Sequence, residues 1–84
     1  MKVWLVYKFK SVYPYDVLKN SIRIFKSYDA MFQYISNYYD SAFDQKEKAM
    51  CMEDGEYPDW ETCKKAWIED NDDEYIRWEE RELE

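Results

Sequence analysis

Nineteen carboxylates and no histidine bound the chemistry open to this 84-residue chain. Without an imidazole, neither a His-based triad nor a His-ligated metal site can be built. Cys51 and Cys63 lack the two-residue spacing of a zinc or redox pair, so a zinc ion would have to be held by carboxylates. Asp70-Asn71-Asp72-Asp73-Glu74 opens like a calcium loop. It lacks the glycine at the sixth position and the spaced terminal Glu that such a loop requires, and it reads as a solvated linker. Gly55 is the single glycine, which removes any glycine-rich phosphate cradle. A glycosidase-type carboxylate pair needs a cleft that so short a chain rarely builds. The expectation is a protein that is not an enzyme, with no catalytic residues, no cofactor and no metal.

What the carboxylates can do is attract a basic partner. Residues 1–26 carry Lys2, Lys8, Lys10, Lys19, Arg23 and Lys26 against Asp16 alone, a net of +5. Residues 27–50 sum to −2, and residues 51–84 hold fourteen acids against four bases, a net of −10, within a formal total of −7. Carboxylates spaced along helix and strand surfaces present negative charge where a nucleic-acid-binding protein meets phosphates, and their field speeds encounter with a basic cleft. The candidate partner-binding residues are Glu53, Asp54, Glu56, Asp59, Trp60, Glu61, Glu69, Asp70, Asp72, Asp73, Glu74, Glu79 and Glu80. Exposed aromatics such as Tyr57, Trp60 or Trp67 would anchor the contact. The same acids would also serve as a plain solubilising face. The basic N-terminal segment offers a competing reading, direct binding of nucleic acid, which the overall negative field opposes.

These groups must be positioned by short, aromatic-rich elements. Val3, Leu5, Tyr7 and Phe9 alternate with Trp4, Val6 and Lys8, which predicts a strand over 2–9, with the rings of Trp4, Tyr7 and Phe9 in the core. Tyr13-Pro14-Tyr15-Asp16 reads as a turn and Ser21–Phe25 as a second strand, paired with the first as an antiparallel hairpin. Ser27 is an N-cap candidate, and Ala30, Met31, Tyr34, Ile35 and Tyr38 recur at helical spacing, so 28–39 should be an amphipathic helix. Ala42, Phe43, Lys46, Ala49 and Met50 suit a second helix that Asp54-Gly55 would stop. Asp59 can cap a third helix running to about Glu69, with Trp60, Cys63, Lys64 and Ala66 or Trp67 along one face. Asn71-Asp72-Asp73 breaks it. Over 74–83, Ile76 and Trp78 alternate against Tyr75, Arg77 and Glu79, which favours a strand over a helix.

The chain is long enough for one domain, and its four Trp, nine Tyr and four Phe supply the area for a real core. No apolar run spans a membrane, and the apolar start, interrupted by Lys8 and Lys10, is too short for a signal peptide. Two cysteines are few for a secreted domain of this size, so a reducing cytoplasm is expected, a Cys51–Cys63 bridge being the minor alternative. The predicted fold class is α+β: a small antiparallel sheet, the N-terminal hairpin plus a C-terminal strand, with two or three helices on one face.

Lys2-Val3-Trp4-Leu5-Val6-Tyr7, Ile24-Phe25-Lys26-Ser27 with Ala30 and Tyr34-Ile35, and Tyr75-Ile76-Arg77-Trp78-Glu79 resemble a group of short phage and prophage accessory proteins. The resemblance covers the first 35 residues and the last ten. It implies a strand–hairpin–helix opening, an acidic closing strand and action inside a bacterium, and it brings no catalytic residues. Together with the charge, it gives the expectation of an acidic protein that inhibits a bacterial host protein, of the nucleic-acid-handling or defence kind (anti-CRISPR or anti-restriction), by mimicking DNA. A homodimer or larger self-assembly through the sheet edge and surplus aromatics is the structural alternative.

Overall fold

The computed structural model describes residues 1–8, 22–53, 57–73 and 75–83. Within them lie β1 (Lys2–Lys8), β2 (Arg23–Phe25), α1 (Tyr28–Ala42), α2 (Gln45–Glu53), α3 (Trp60–Asp70) and β3 (Ile76–Glu82). The strands form one antiparallel sheet in the order β2-β1-β3, so the fold is α+β with the first strand in the middle. β1 pairs with β2 through Trp4↔Phe25, Leu5↔Ile24 and Val6↔Arg23, and with β3 from Lys2↔Glu82 to Lys8↔Ile76.

Strand alternation sends Trp4, Val6 and Lys8 to one side of the sheet, together with Phe25, Ile76 and Trp78. That side carries the helices: Val6 and Ile76 are buried with Met31, Ile35 and Tyr39 of α1 and Ile68 of α3, and Trp4, Phe25 and Trp78 pack against them. The more apolar run of β1, Val3, Leu5 and Tyr7, therefore faces away from the helical layer, alongside Ile24, Arg77, Glu79 and Arg81. Tyr7 was expected in the core. It instead lies on this outer face, where a hydrogen bond from its hydroxyl engages Glu79. Phe9, the turn at 13–16, Ser21, Lys10 and Lys19 lie outside the described residues.

The helices begin where their caps allow. The Ser27 hydroxyl accepts from Ala30 N at 3.1 Å, satisfying one of the unpaired N–H groups of the first turn of α1. α1 then runs three residues past Tyr39, and Phe43, expected to open the next helix, is its C-cap, with its N–H bonded to Tyr39 O. α2 starts instead on a reciprocal capping box: Asp44 Oδ1 accepts from Glu47 N at 2.8 Å and Glu47 Oε1 from Asp44 N at 3.3 Å. It has no fully buried residue, and Lys46, Ala49 and Met50, which suggested the helix, are exposed on it. Lys48, Cys51 and Met52 are the half-buried ones. Asp59 caps α3 as expected, accepting from Thr62 N at 2.7 Å, and the stop at Asp54-Gly55 lies outside the described residues.

Asn71 does two jobs. It ends α3 in the left-handed region (φ 54°, ψ 41°), which asparagine tolerates better than most residues. Its amide also donates from Nδ2 to Trp78 O at 2.6 Å and accepts at Oδ1 from Trp78 N at 2.9 Å. β3 is an edge strand, so these are outward backbone groups that would otherwise be unpaired, and the clamp ties α3 to the sheet. Asn71→Gly keeps the backbone conformation and removes both bonds, so we expect a loss of about 1–3 kcal/mol in urea unfolding. Asn71→Ala should cost about 1 kcal/mol more, because it adds a Cβ at positive φ. A glycine variant as stable as the parent would refute the clamp.

Candidate functional site

Most of the sequence-nominated acids already have intramolecular work. Asp59 is held below the usual carboxylate range by the Thr62 backbone N–H it caps. Glu61 Oε1 lies 3.0 Å from Lys64 Nζ, Glu79 pairs with Arg81, and Glu80 pairs with Lys2 at 3.1 Å. Asp73 is committed most heavily: Oδ1 accepts from the backbone N–H groups of Tyr75 (2.7 Å) and Ile76 (3.1 Å), while Oδ2 accepts from the Tyr39 hydroxyl (3.1 Å). Glu53, Glu69, Asp70 and Asp72 are exposed and make no hydrogen bond or ion pair among the described residues. Glu69 and Asp70 occupy the last turn of α3, which contains no basic residue, so they add to the negative end of the helix dipole. Asp54, Glu56 and Glu74 lie outside the described residues.

The aromatic candidates turn inward. Trp60 and Trp67 meet edge to face, ring centroids 5.6 Å apart, and both contact Phe43. Trp67 also meets Tyr39 edge to face at 5.5 Å. Trp60 Nε1 donates to Asp40 Oδ1 at 2.8 Å. Trp60, Trp67 and Tyr57 are each half-buried rather than exposed. The reason is area: indole rings on a helix face sandwiched against α1 gain more from burial than from projecting into water. Cys63 is the buried small hydrophobe expected, burial pushes its thiol up, and both cysteines are free thiols.

The centre of this helix interface is a buried cation that sequence reasoning did not single out. Lys64 is 2 % exposed, and its Nζ lies 2.8 Å from Ser36 Oγ, 2.8 Å from Asp40 Oδ1 and 3.0 Å from Glu61 Oε1. Three acceptors meet the three donors of an ammonium. Burial works against the charge, but the hydrogen bonds and charges of Asp40 and Glu61 outweigh it, and the Lys64 pKa is raised. A Ser–Lys dyad needs a neutral amine beside an accessible hydroxyl. Here the amine is held charged and Ser36 is buried, so the pair is a structural bond. The signal was legible in retrospect, since Lys64 falls on the apolar face with Trp60 and Cys63, one turn from Trp60. Its partners Ser36 and Asp40 are likewise one turn apart on α1.

Of the lysines proposed for nucleic-acid contact, Lys2 is paired with Glu80, and Lys8 Nζ sits 5.8 and 5.4 Å from the ring centroids of Tyr34 and Tyr38. Among the described residues no three His, Cys, Asp or Glu side chains gather as a metal site, and no helix is long and apolar enough to cross a membrane. No family model matches the chain, and comparison with curated proteins and with solved structures also finds no match.

The Lys64 node sets two expectations. Asp40 sits below the usual carboxylate range because Lys64 and then Trp60 hydrogen-bond to its charged form. Its contribution is therefore complete above the unfolded carboxylate pKa of about 3.9 and is lost as pH falls through the depressed folded value. Asp40→Asn should flatten the acid limb of stability against pH, followed by urea midpoints from about pH 5 to pH 2. Asp40→Ala, which strips a buried ammonium and the Trp60 N–H of their acceptor, should cost about 1.5–3 kcal/mol. Lys64→Met should cost less, because Asp40 and Glu61 can turn to water. The reverse order would show that the node is not organised around the cation.

Proposed function

We propose that this protein is an acidic binding protein that docks on a basic, nucleic-acid-contacting surface of a bacterial host protein and blocks it without catalysis. The observation that supports this is the group of exposed carboxylates, Glu69, Asp70 and Asp72, at the C-terminal end of α3, with no intramolecular cation among the described residues. Carboxylates already paired with Lys2, Lys64 or Arg81 would have to break those contacts to meet a partner. The three at the helix end need not. Helix-end acids also oppose the dipole, a local cost that a binding role would explain. The likeness to phage accessory proteins makes a bacterial target, including defence effectors, the natural class.

Capture from nuclease-treated bacterial lysate tests this reading, using the parent and a Glu69→Lys, Asp70→Lys, Asp72→Lys variant. The expected result is a stoichiometric host protein that is released by competing duplex DNA and bound at least about tenfold more weakly by the variant. That difference should shrink as salt shortens the Debye length from about 8 Å at physiological strength to about 3 Å at 1 M. A partner held equally by both proteins, or retained in excess DNA, would overturn charge mimicry. So would the absence of any partner across hosts.

A further inference from the structure

A hollow of about 260 Å³ lies where the last turn of α1 and the start of α2 meet Asp73 and Tyr75, one residue along from Asp72. Its walls are the rings of Tyr38, Tyr39, Phe43 and Tyr75 and the carboxylates of Glu47 and Asp73. We propose that this aromatic and acidic hollow receives the guanidinium of an arginine side chain from the protein partner. The inference rests on the proposed docking to a basic surface and names the residue type that surface must present.

Four features converge on a planar cation. Aromatic faces attract cations through their quadrupole, and one of these rings, Tyr38, already has the Lys8 Nζ 5.4 Å from its centroid. Two carboxylates flank the rings: Glu47 spends one oxygen on the Asp44 N–H, and Asp73 is held by three hydrogen bonds to its carboxylate, while its backbone carbonyl accepts from Arg77 Nε at 2.7 Å. The last turn of α1 forms one wall and contributes no basic residue to it. The Tyr39 phenol is pushed far up, first by burial and then by Asp73, with a smaller contribution from Asp72.

Size and bonding choose arginine. The hollow falls below the roughly 300–1,000 Å³ of pockets that take drug-sized ligands, so it suits a side chain better than a free substrate. A compact ammonium would rely on carboxylate oxygens, and those of Asp73 are largely engaged. A guanidinium is weakly hydrated, stacks flat on tyrosine and forks to whichever oxygens remain. Tyr75, which lines the hollow, is 45 % exposed and so within reach of a partner.

The full-length protein can be titrated with N-acetyl-arginine methylamide, its citrulline counterpart and its lysine counterpart, following the aromatic resonances of Tyr38, Tyr39, Phe43 and Tyr75 by NMR. The arginine probe should saturate with a dissociation constant on the order of millimolar. Tyr75→Ala and Glu47→Gln should each weaken it at least fivefold, Tyr75→Phe should not, and glutamine keeps the capping box of α2 intact. Citrulline or lysine probes that bind as tightly as arginine, absence of saturation, or indifference to Tyr75→Ala would overturn the proposal. Saturable arginine binding by the Glu69, Asp70, Asp72 reversal variant separates the two readings, since the hollow then survives the loss of the outer acids. A captured host protein whose affinity ignores Tyr75→Ala would leave charge mimicry standing and remove the arginine hollow.

Discussion

The pairing of β1 with β3 is the constraint on which the rest of the molecule depends. Seven residue pairs, from Lys2↔Glu82 to Lys8↔Ile76, join the two ends of the chain, and the N-terminal ammonium adds contacts to Glu82 and to Leu83 O. A slip of β3 by one residue would send Ile76 and Trp78 to the outer face and strip the core of that strand's share. Contacts so distant in sequence carry a large closure entropy, which the burial of Val6 and Ile76 beneath α1 and α3 must offset. The helices and the sheet therefore stabilise one another, and neither layer is self-sufficient.

Two polar devices set how the helices meet that sheet. The Asn71 clamp holds the end of α3 against Trp78, reinforced by Trp78 Nε1 donating to Ile68 O at 2.7 Å. The Lys64 node holds α3 to α1 at Ser36 and Asp40. Apolar packing is tolerant of sliding, whereas a buried ammonium with three acceptors is not, so the node specifies one helix register. The aromatic cluster of Tyr39, Phe43, Trp60 and Trp67 then fills the space on either side of it.

This internal use of charge divides the acidic third of the chain into two classes. Asp59, Glu61, Asp73, Glu79 and Glu80 cap helices, hold cations or tie turns, while Glu53, Glu69, Asp70 and Asp72 are left to solvent or to a partner. Among the described residues, part of the formal charge of −7 is thus already paired within the molecule, and three exposed acids, Glu69, Asp70 and Asp72, lie at the end of α3.

Local signals in the sequence were sufficient for the elements themselves. Ser27 and Asp59 announced their helices because a short oxygen-bearing side chain before an apolar-periodic run has one favourable use there. Ile76 and Trp78 announced the last strand through alternation, and the α+β class followed from the order of elements. What remained hidden depended on groups far apart in the chain. Alternation separates two faces of β1 without saying which meets the helices; Val6 lies beneath them with Ile76, while Val3 is buried on the opposite face. The inward turn of Trp60 and Trp67, the burial of Lys64 and the sorting of acids into paired and free all require knowing what lies opposite. Local chemistry was written in the sequence; only the tertiary structure decided which partner each charge and ring would meet, because burial and pairing energies belong to contacts between residues rather than to any residue alone.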